Sequence, residues 1–183
     1  MPFCIRRFQK PDFDTLWHID QACFPPQLAY SRPELAFYMR RPGAFTLVAE
    51  ANAAPATSAQ ANSGQANAAN EPDSQNAAPT ALPPILGFIV AEARRTTGHI
   101  ITIDVIHAAR RLGVGSALLQ AAEDQLLNAG AISVALEAAI NNEPAIRFYK
   151  QKGYFVEKTI RGYYSGQLDA LRMVKELQGS GRI

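Results

Sequence analysis

The sequence predicts one α/β domain built on a mixed sheet that helices cover on both faces. Three observations predict it. Short apolar runs and helical stretches follow one another as β-α-α-β and then β-β-α-β-α-β-β. Strands that succeed each other directly exclude a doubly wound parallel sheet. The runs 85–93 and 99–106 are apolar on both faces, as strands of a sheet covered on both sides must be.

Taken in order, Phe3 to Gln9 reads as a strand, and Pro11 to Cys23 as an amphipathic helix with Phe13, Leu16, Trp17 and Ile19 or Asp20 around its inner side. Phe24-Pro25-Pro26 stops it. Ser31-Arg32-Pro33-Glu34 is a capping-box pattern with proline in the first turn, so a second helix runs to about Arg40. Phe45 to Glu50 is a strand. Ile85 to Ala93 and His99 to Ile106 are strands joined by a hairpin-type connection at Thr96-Thr97-Gly98. Gly113-Val114-Gly115 opens a long helix, with Val114, Leu118, Ala122 and Leu126 at helical spacing and Gly130 past its end. Ile132 to Ala138 is a strand, Asn142 starts a helix that Gly153 closes, and Tyr154–Ile160 and Leu168–Leu177 are the last strands.

Between the second and third strands, 52–84 is rich in Ala, Asn and Pro, with no aromatic residue and no Lys or Arg. Such a segment cannot bury enough apolar surface to offset its ordering entropy, so it is expected to be a disordered insertion that interrupts a single domain spanning 1–183. The whole chain carries 18 basic and 16 acidic residues, a charge of +2. That excludes a mainly electrostatic nucleic-acid binder. Two cysteines, Cys4 and Cys23, exclude a disulfide scaffold, and His18, His99 and His107 lack metal-ligand spacing, so no metal is expected. No run approaches the roughly 20 apolar residues of a membrane span, so no membrane partner and a cytoplasmic location are expected.

The most informative stretch runs from Thr102 to Leu119: a strand ends, a short basic loop turns, and two glycines open a helix. Unpaired backbone N–H groups and the helix dipole at such a start form an anion site, and glycines let a pyrophosphate approach the backbone. Arg110 and Arg111 add charge beside it. A Gly-rich turn needed only for strand-to-helix geometry is the plainer alternative. The stretch is not a P-loop, since no Gly-Lys-Ser/Thr follows, nor the dinucleotide fingerprint, since residue 118 is Leu.

Arg110-x-x-Gly113-x-Gly115 resembles the acetyl-CoA signature of the GCN5-related N-acetyltransferase (GNAT) superfamily. Leu136-Glu137, Asn142, Ala145-Ile146-Arg147-Phe148-Tyr149 and Gly153-Tyr154 resemble that family's later motif in order and spacing. Within the superfamily, Phe24-Pro25, Leu136-Glu137 and Arg161-Gly162-Tyr163-Tyr164 followed by Asp169-Ala170 resemble RimI-like protein N-terminal acetyltransferases.

The resemblance implies a single domain with a mostly antiparallel mixed sheet, and acetyl-CoA as co-substrate. It implies that Ile103, Asp104 and Val105 pair their backbone with the pantetheine arm, as an added strand would. It further implies that Arg110, Arg111, Leu112, Gly113, Val114, Gly115 and Ser116 hold the pyrophosphate, and that Asn142 bonds the pantetheine side. Asn142 is equally a good helix N-cap. Glu137 matches the family's base position, acting through water, and Tyr149 the acid that protonates the leaving sulfur. A salt-bridged strand-end carboxylate and a plain core tyrosine are their structural alternatives. Phe24, Tyr163 and Tyr164 are expected to line the acceptor groove, and His99 and His107 to be structural.

The expected partners are acetyl-CoA and an amine, either a protein N-terminus or a small amine such as a polyamine, amino acid or aminoglycoside. A non-catalytic CoA-binding module stands as the alternative to an enzyme.

Overall fold

The computed structural model describes residues 2–52 and 84–177; the expected insertion at 52–84 lies outside the described residues except for its two ends. The elements are β1 (Phe3–Arg7), α1 (Phe13–Cys23), α2 (Arg32–Met39), β2 (Ala44–Ala51), β3 (Ile85–Arg94), β4 (Thr97–Val105), α3 (Val114–Asn128), β5 (Ser133–Ala139), α4 (Glu143–Gln151), β6 (Phe155–Tyr164) and β7 (Leu168–Glu176). This is the predicted order.

Local chemistry sets the boundaries. The Asp12 carboxylate accepts from the Gln9 amide at 2.8 Å and from Arg6 at 2.7 and 3.0 Å. Residues Lys10–Asp12 are thereby held in a 3-10 turn, so α1 begins at Phe13 rather than at Pro11, and β1 stops at Arg7. At α2 the Ser31 hydroxyl accepts from the Glu34 amide while the Glu34 carboxylate accepts from the Ser31 amide at 2.9 Å. Arg94 pairs with Thr97, so the β3–β4 hairpin turns on Arg95 and Thr96, and Arg95 adopts a left-handed φ of 52°. β4 therefore starts two residues before His99.

The strands form one sheet in the order β1-β2-β3-β4-β5-β7-β6. Every neighbour pair is antiparallel except β4 with β5. That parallel pair is short: only Thr97, Gly98 and His99 pair, with Ser133, Val134 and Ala135. Beyond His99 the two strands have no ladder between them. β4 is also bulged, since its register against β3 skips Ile101.

Two cores sandwich the sheet. On one face α3 lays Leu118, Leu119, Ala122 and Leu126 against Leu86, Ile89 and Leu136. On the other, Leu16 and Ile19 of α1 and Leu35 of α2 pack on Val48, Phe88 and Val90. Alternate residues of β3 thus serve opposite cores, which explains its unbroken apolar run. Among the described residues no helix is long and apolar enough to cross a membrane.

Gly87 marks where backbones come closest. A Cβ there would lie 2.4 Å from the Asp104 carbonyl oxygen and 3.1 Å from the Val105 Cα. These are backbone atoms of the β4 end and cannot swing aside. Gly87→Ala is expected to lower stability by about 1–3 kcal/mol, as overpacking does. Chemical denaturation of the two proteins side by side measures this.

Candidate functional site

The site grows from the parting of β4 and β5. Past His99, β4 keeps its β3 partner on one side but has no strand on the other, so its edge backbone from Ile103 to Val105 borders a cleft. At the head of the cleft, α3 starts. Arg111 (φ 63°) and Gly113 (φ 86°) are both left-handed, and Gly113 is the N-cap of α3. A left-handed turn before a helix start turns successive N–H groups to one side, which suits an anion. Ala117 makes the first backbone bond of the helix, to the Gly113 carbonyl at 3.0 Å. Gly113 is a glycine because of its φ. Gly115 has no such reason: a Cβ there would make only ordinary contacts, 3.7 Å to Val105 and to Phe148. The chain's own packing therefore does not demand glycine at 115, whereas a ligand lying on that backbone would. The residues fit the phosphates of acetyl-CoA in this respect.

Arg111, Leu112 and Gly113 are exposed in this loop, and Val114 and Ser116 begin the helix. The Arg110 guanidinium is turned back instead, its Nε donating to the Val105 carbonyl at 3.1 Å. Cys23 meets the same carbonyl, Sγ to O 3.4 Å. Asp104 faces away from the cleft: it is buried, takes the Thr102 hydroxyl at 3.1 Å, and burial pushes its carboxyl well above the usual carboxylate range. Only its backbone is available to a ligand, as an added strand requires.

Asn142 caps α4, its Oδ1 accepting from the Ala145 amide at 3.2 Å, so its capping reading holds and its side-chain N–H₂ is left to donate elsewhere. Two turns on, Tyr149 is buried against Phe148 and Tyr154, with ring centroids 5.3 and 5.7 Å apart. Burial, with Asp104 and Tyr164 near, raises its phenol above the ordinary range, so it stays protonated. Such a phenol is a donor.

Glu137 stands on β5, and both its oxygens are taken. Oε2 accepts from His99 Nε2 at 2.6 Å, and Oε1 from Arg172 at 2.7 Å. The side chain is 8% exposed. Burial alone would raise the carboxyl, but the hydrogen bonds and charges of His99 and Arg172 outweigh it and hold it below the usual Glu range. The expected salt-bridge alternative is thus real, and it includes a histidine. His99, expected to be structural, is brought into contact with the proposed base by the three-residue β4–β5 pairing. His107 is not: it lies exposed in a 3-10 turn after β4.

An aromatic wall faces Glu137. Tyr163 and Tyr164 pack edge to face, centroids 4.9 Å apart. The Tyr163 hydroxyl reaches Glu137 Oε2 at 3.5 Å and that of Tyr164 the Glu137 carbonyl at 3.3 Å. Burial and the nearby Glu137 push Tyr163 up to about 12; burial and the neighbouring Tyr163 do the same for Tyr164, with Glu137 adding less. The hairpin that presents them is shaped by Asp169, which accepts from the Gly162 amide at 2.8 Å. Two further tyrosines, not singled out in the sequence, complete the wall. Tyr30 packs against Tyr38 of α2 with the rings tilted by 54° and their centroids 5.1 Å apart, and burial together with Tyr38, Tyr163 and Tyr164 raises its phenol above the ordinary range. The loop carrying Tyr30 is fixed by its own backbone: its amide donates to Asp20 at 2.8 Å, and its carbonyl accepts from Trp17 at 3.1 Å and Gln21 at 2.8 Å. Phe24 caps α1 half-buried and takes no part in these tyrosine contacts.

The same architecture recurs in solved structures. The Ard1 protein of Thermoplasma volcanium superposes with a TM-score of 0.73 at 24% identity, covering 98% of this chain and all of that one. The ribosomal-protein-S18-alanine N-acetyltransferase of Escherichia coli does so at 0.71 and 20% identity, over 99% and 97%. In sequence, 81 residues are 41% identical to an N-alpha-acetyltransferase of Sulfurisphaera tokodaii, which is 44% of this chain and 48% of that protein. The alignment thus spans about half the length of that relative. Residues 13–154 match the profile of the acetyltransferase (GNAT) family, and with most of its length matched this chain belongs to that family.

Proposed function

We propose that this protein transfers an acetyl group from acetyl-CoA to an α-amine at the N-terminus of a protein, as the S18-alanine enzyme of similar fold does with a ribosomal protein. The observation that carries the proposal is the tyrosine wall of Tyr30, Tyr38, Tyr163 and Tyr164 in front of a neutralised Glu137. A polyamine site needs a surplus of negative charge. Here the Glu137 charge is offset by Arg172, and the Glu92 charge by Arg41 and Arg94. Tyrosine faces and hydroxyls instead suit a peptide backbone and its first side chain.

When bound, acetyl-CoA supplies an acyl thioester that a neutral amine attacks directly. The amides around Gly113–Ser116, with Arg111, hold its phosphates, and the β4 backbone at Ile103–Val105 and the Asn142 amide orient its arm. An α-amine has a reference pKa of about 7.7–8.0, against about 10.4 for lysine, so little driving force is needed to free its lone pair near neutral pH. Glu137 receives the amine's proton, through water where the reach requires it. Tyr149, held protonated by burial, donates to the departing sulfur.

Incubation with acetyl-CoA and a panel of N-terminal peptides, free polyamines and aminoglycosides, with release of free thiol as the signal, tests the assignment. Turnover on peptides with a free α-amine, and none on acetyl-capped ones, is expected. Turnover confined to small amines would overturn it. In the same assay Tyr149→Phe and Glu137→Gln are each expected to lower kcat by about 10²-fold, the usual scale of a lost acid or base. Acetyl-CoA affinity, read by calorimetry, should stay within a few-fold of the parent.

A further inference from the structure

Two buried carboxyl groups take no part in the chemistry above, Asp20 on α1 and Asp104 on β4. Each has one oxygen satisfied. Asp20 Oδ2 accepts from the Tyr30 amide at 2.8 Å and from Gln21 at 3.1 Å, and Asp104 Oδ2 accepts from the Thr102 hydroxyl at 3.1 Å. The other oxygen of each, Oδ1, is buried without a hydrogen-bond partner among the described residues. Helix geometry brings the two orphans together. Cys23 stands three residues after Asp20 on the same face of α1, and its Sγ meets the carbonyl of Val105, the residue next to Asp104. The two carboxyls lie within electrostatic reach of each other.

We propose, resting on the acetyl-transfer reading above for the role of Tyr30, that Asp20 and Asp104 share one proton in a buried carboxyl–carboxylate pair, and that both are positioning residues which fasten the acceptor wall to the cofactor strand. The physical reason is satisfaction of lone pairs. Two ionised carboxylates side by side would be two like charges with unpaired oxygens in a dry interior. A single proton serves both orphans, since a protonated carboxyl donates and the carboxylate accepts. Asp104 carries the proton. Asp20 already accepts two bonds, which favour its charge, and Asp104 only one. Asp20 is therefore the anion that grips the Tyr30 amide, and Asp104 is its donor. This chain of bonds from β4 through Asp20 to Tyr30 sets the spacing between the tyrosine wall and the open β4 edge.

The groups around the pair leave each carboxyl as the other's partner. From the loop before α3, Arg110 is the cation within reach, but its Nε is spent on the Val105 carbonyl. From α1 comes the Cys23 thiol, pushed up by burial and so uncharged. From α4 comes the Tyr149 phenol and from the α1–α2 loop the Tyr30 phenol, both held protonated by burial. From α2, Glu34 lies within electrostatic reach of Asp20 and is tied to Ser31. On β3 the residue opposite Asp104 is the apolar Phe88. Burial raises both carboxyls, Asp20 to about 6 and Asp104 well above its ordinary value, so above that pH the pair keeps one proton.

Infrared spectra of the free protein near neutral pH test the shared proton. The parent is expected to show the carbonyl band of a protonated carboxyl, and Asp104→Asn to lack it; a parent without the band would overturn the inference. Asp in an unfolded chain has a pKa of about 3.9, so unfolding releases this proton. An acid raised in the fold stabilises it at low pH and loses that contribution as pH rises. Above about pH 6 the parent's folding constant is therefore expected to fall about tenfold more per pH unit than that of Asp104→Asn. Parallel slopes would overturn the pair. Trp17 is the chain's one tryptophan, and its indole donates to the Tyr30 carbonyl, so its emission reports on the loop. Asp104→Ala leaves Asp20 charged and alone, and is expected to shift that emission. Asp104→Asn, whose amide donates where the proton did, is expected to keep the parent's emission. Identical emission in all three proteins would overturn the fastening, and the two Asp104→Asn comparisons stand even if Asp104→Ala does not fold. None of these readings uses an acetyl donor or acceptor, so their failure is distinct from a failure of the acetyl-transfer reading. Where peptide turnover is measured, Asp104→Ala is expected to raise the acceptor KM by about tenfold, more than it lowers kcat. An acceptor KM that stays put while the emission shifts would overturn the positioning role.

Discussion

Everything at the site depends on how little β4 and β5 share. Three paired residues are enough to fix their register and bring His99 beside Ala135, two residues from Glu137. Had the ladder continued, the β4 edge would have spent its hydrogen bonds on β5, and no cleft would open under the start of α3. An unpaired edge inside a domain leaves polar backbone to be satisfied by something else. Under the proposed function, that something else is the arm of acetyl-CoA lying as an extra strand. The bulge at Ile101 contributes by turning Ile103 toward the α3 core and Asp104 away from it.

A second organising feature is the row of charge crossing the sheet on the acceptor side. Glu92 on β3, His99 on β4, Glu137 on β5, Arg172 on β7 and Glu157 on β6 follow one another across five adjacent strands. Each carboxylate in the row has a basic partner, which is how half-buried charges are tolerated. Because the members share partners, removing one redistributes the bonds of the next. Energies measured one residue at a time would therefore not add along the row.

Elements whose signals are local were legible in the sequence. The Ser31–Glu34 box, Gly113 before α3 and Asn142 before α4 each mark a boundary that hydrogen bonding within a few residues determines. The start of α1 was less so, because Arg6 and Asp12 fix it from β1. Motif spacing singled out Glu137 and Tyr149. It was silent on His99, Arg172, Tyr30 and Tyr38, whose importance comes from register between strands distant in sequence. Arg172 meets Glu137 across 35 positions and His99 meets it across 38. No periodicity encodes such pairings. Arg110 shows the opposite case: its place in the motif was plain, but the direction of its side chain, back onto Val105, depended on the fold.

The join between β2 and β3 carries a consequence of its own. The Ala51 amide donates to the Pro84 carbonyl at 2.7 Å, so the chain is closed on itself where the intervening segment leaves and where it returns. Between ends held by such a clamp, the closure entropy of a flexible connection grows by only about 0.6 kcal/mol for each doubling of its length. The fold is thus nearly indifferent to how long that segment is. Length there can drift over evolutionary time, or be trimmed and extended by an engineer, while the sheet on either side keeps its register.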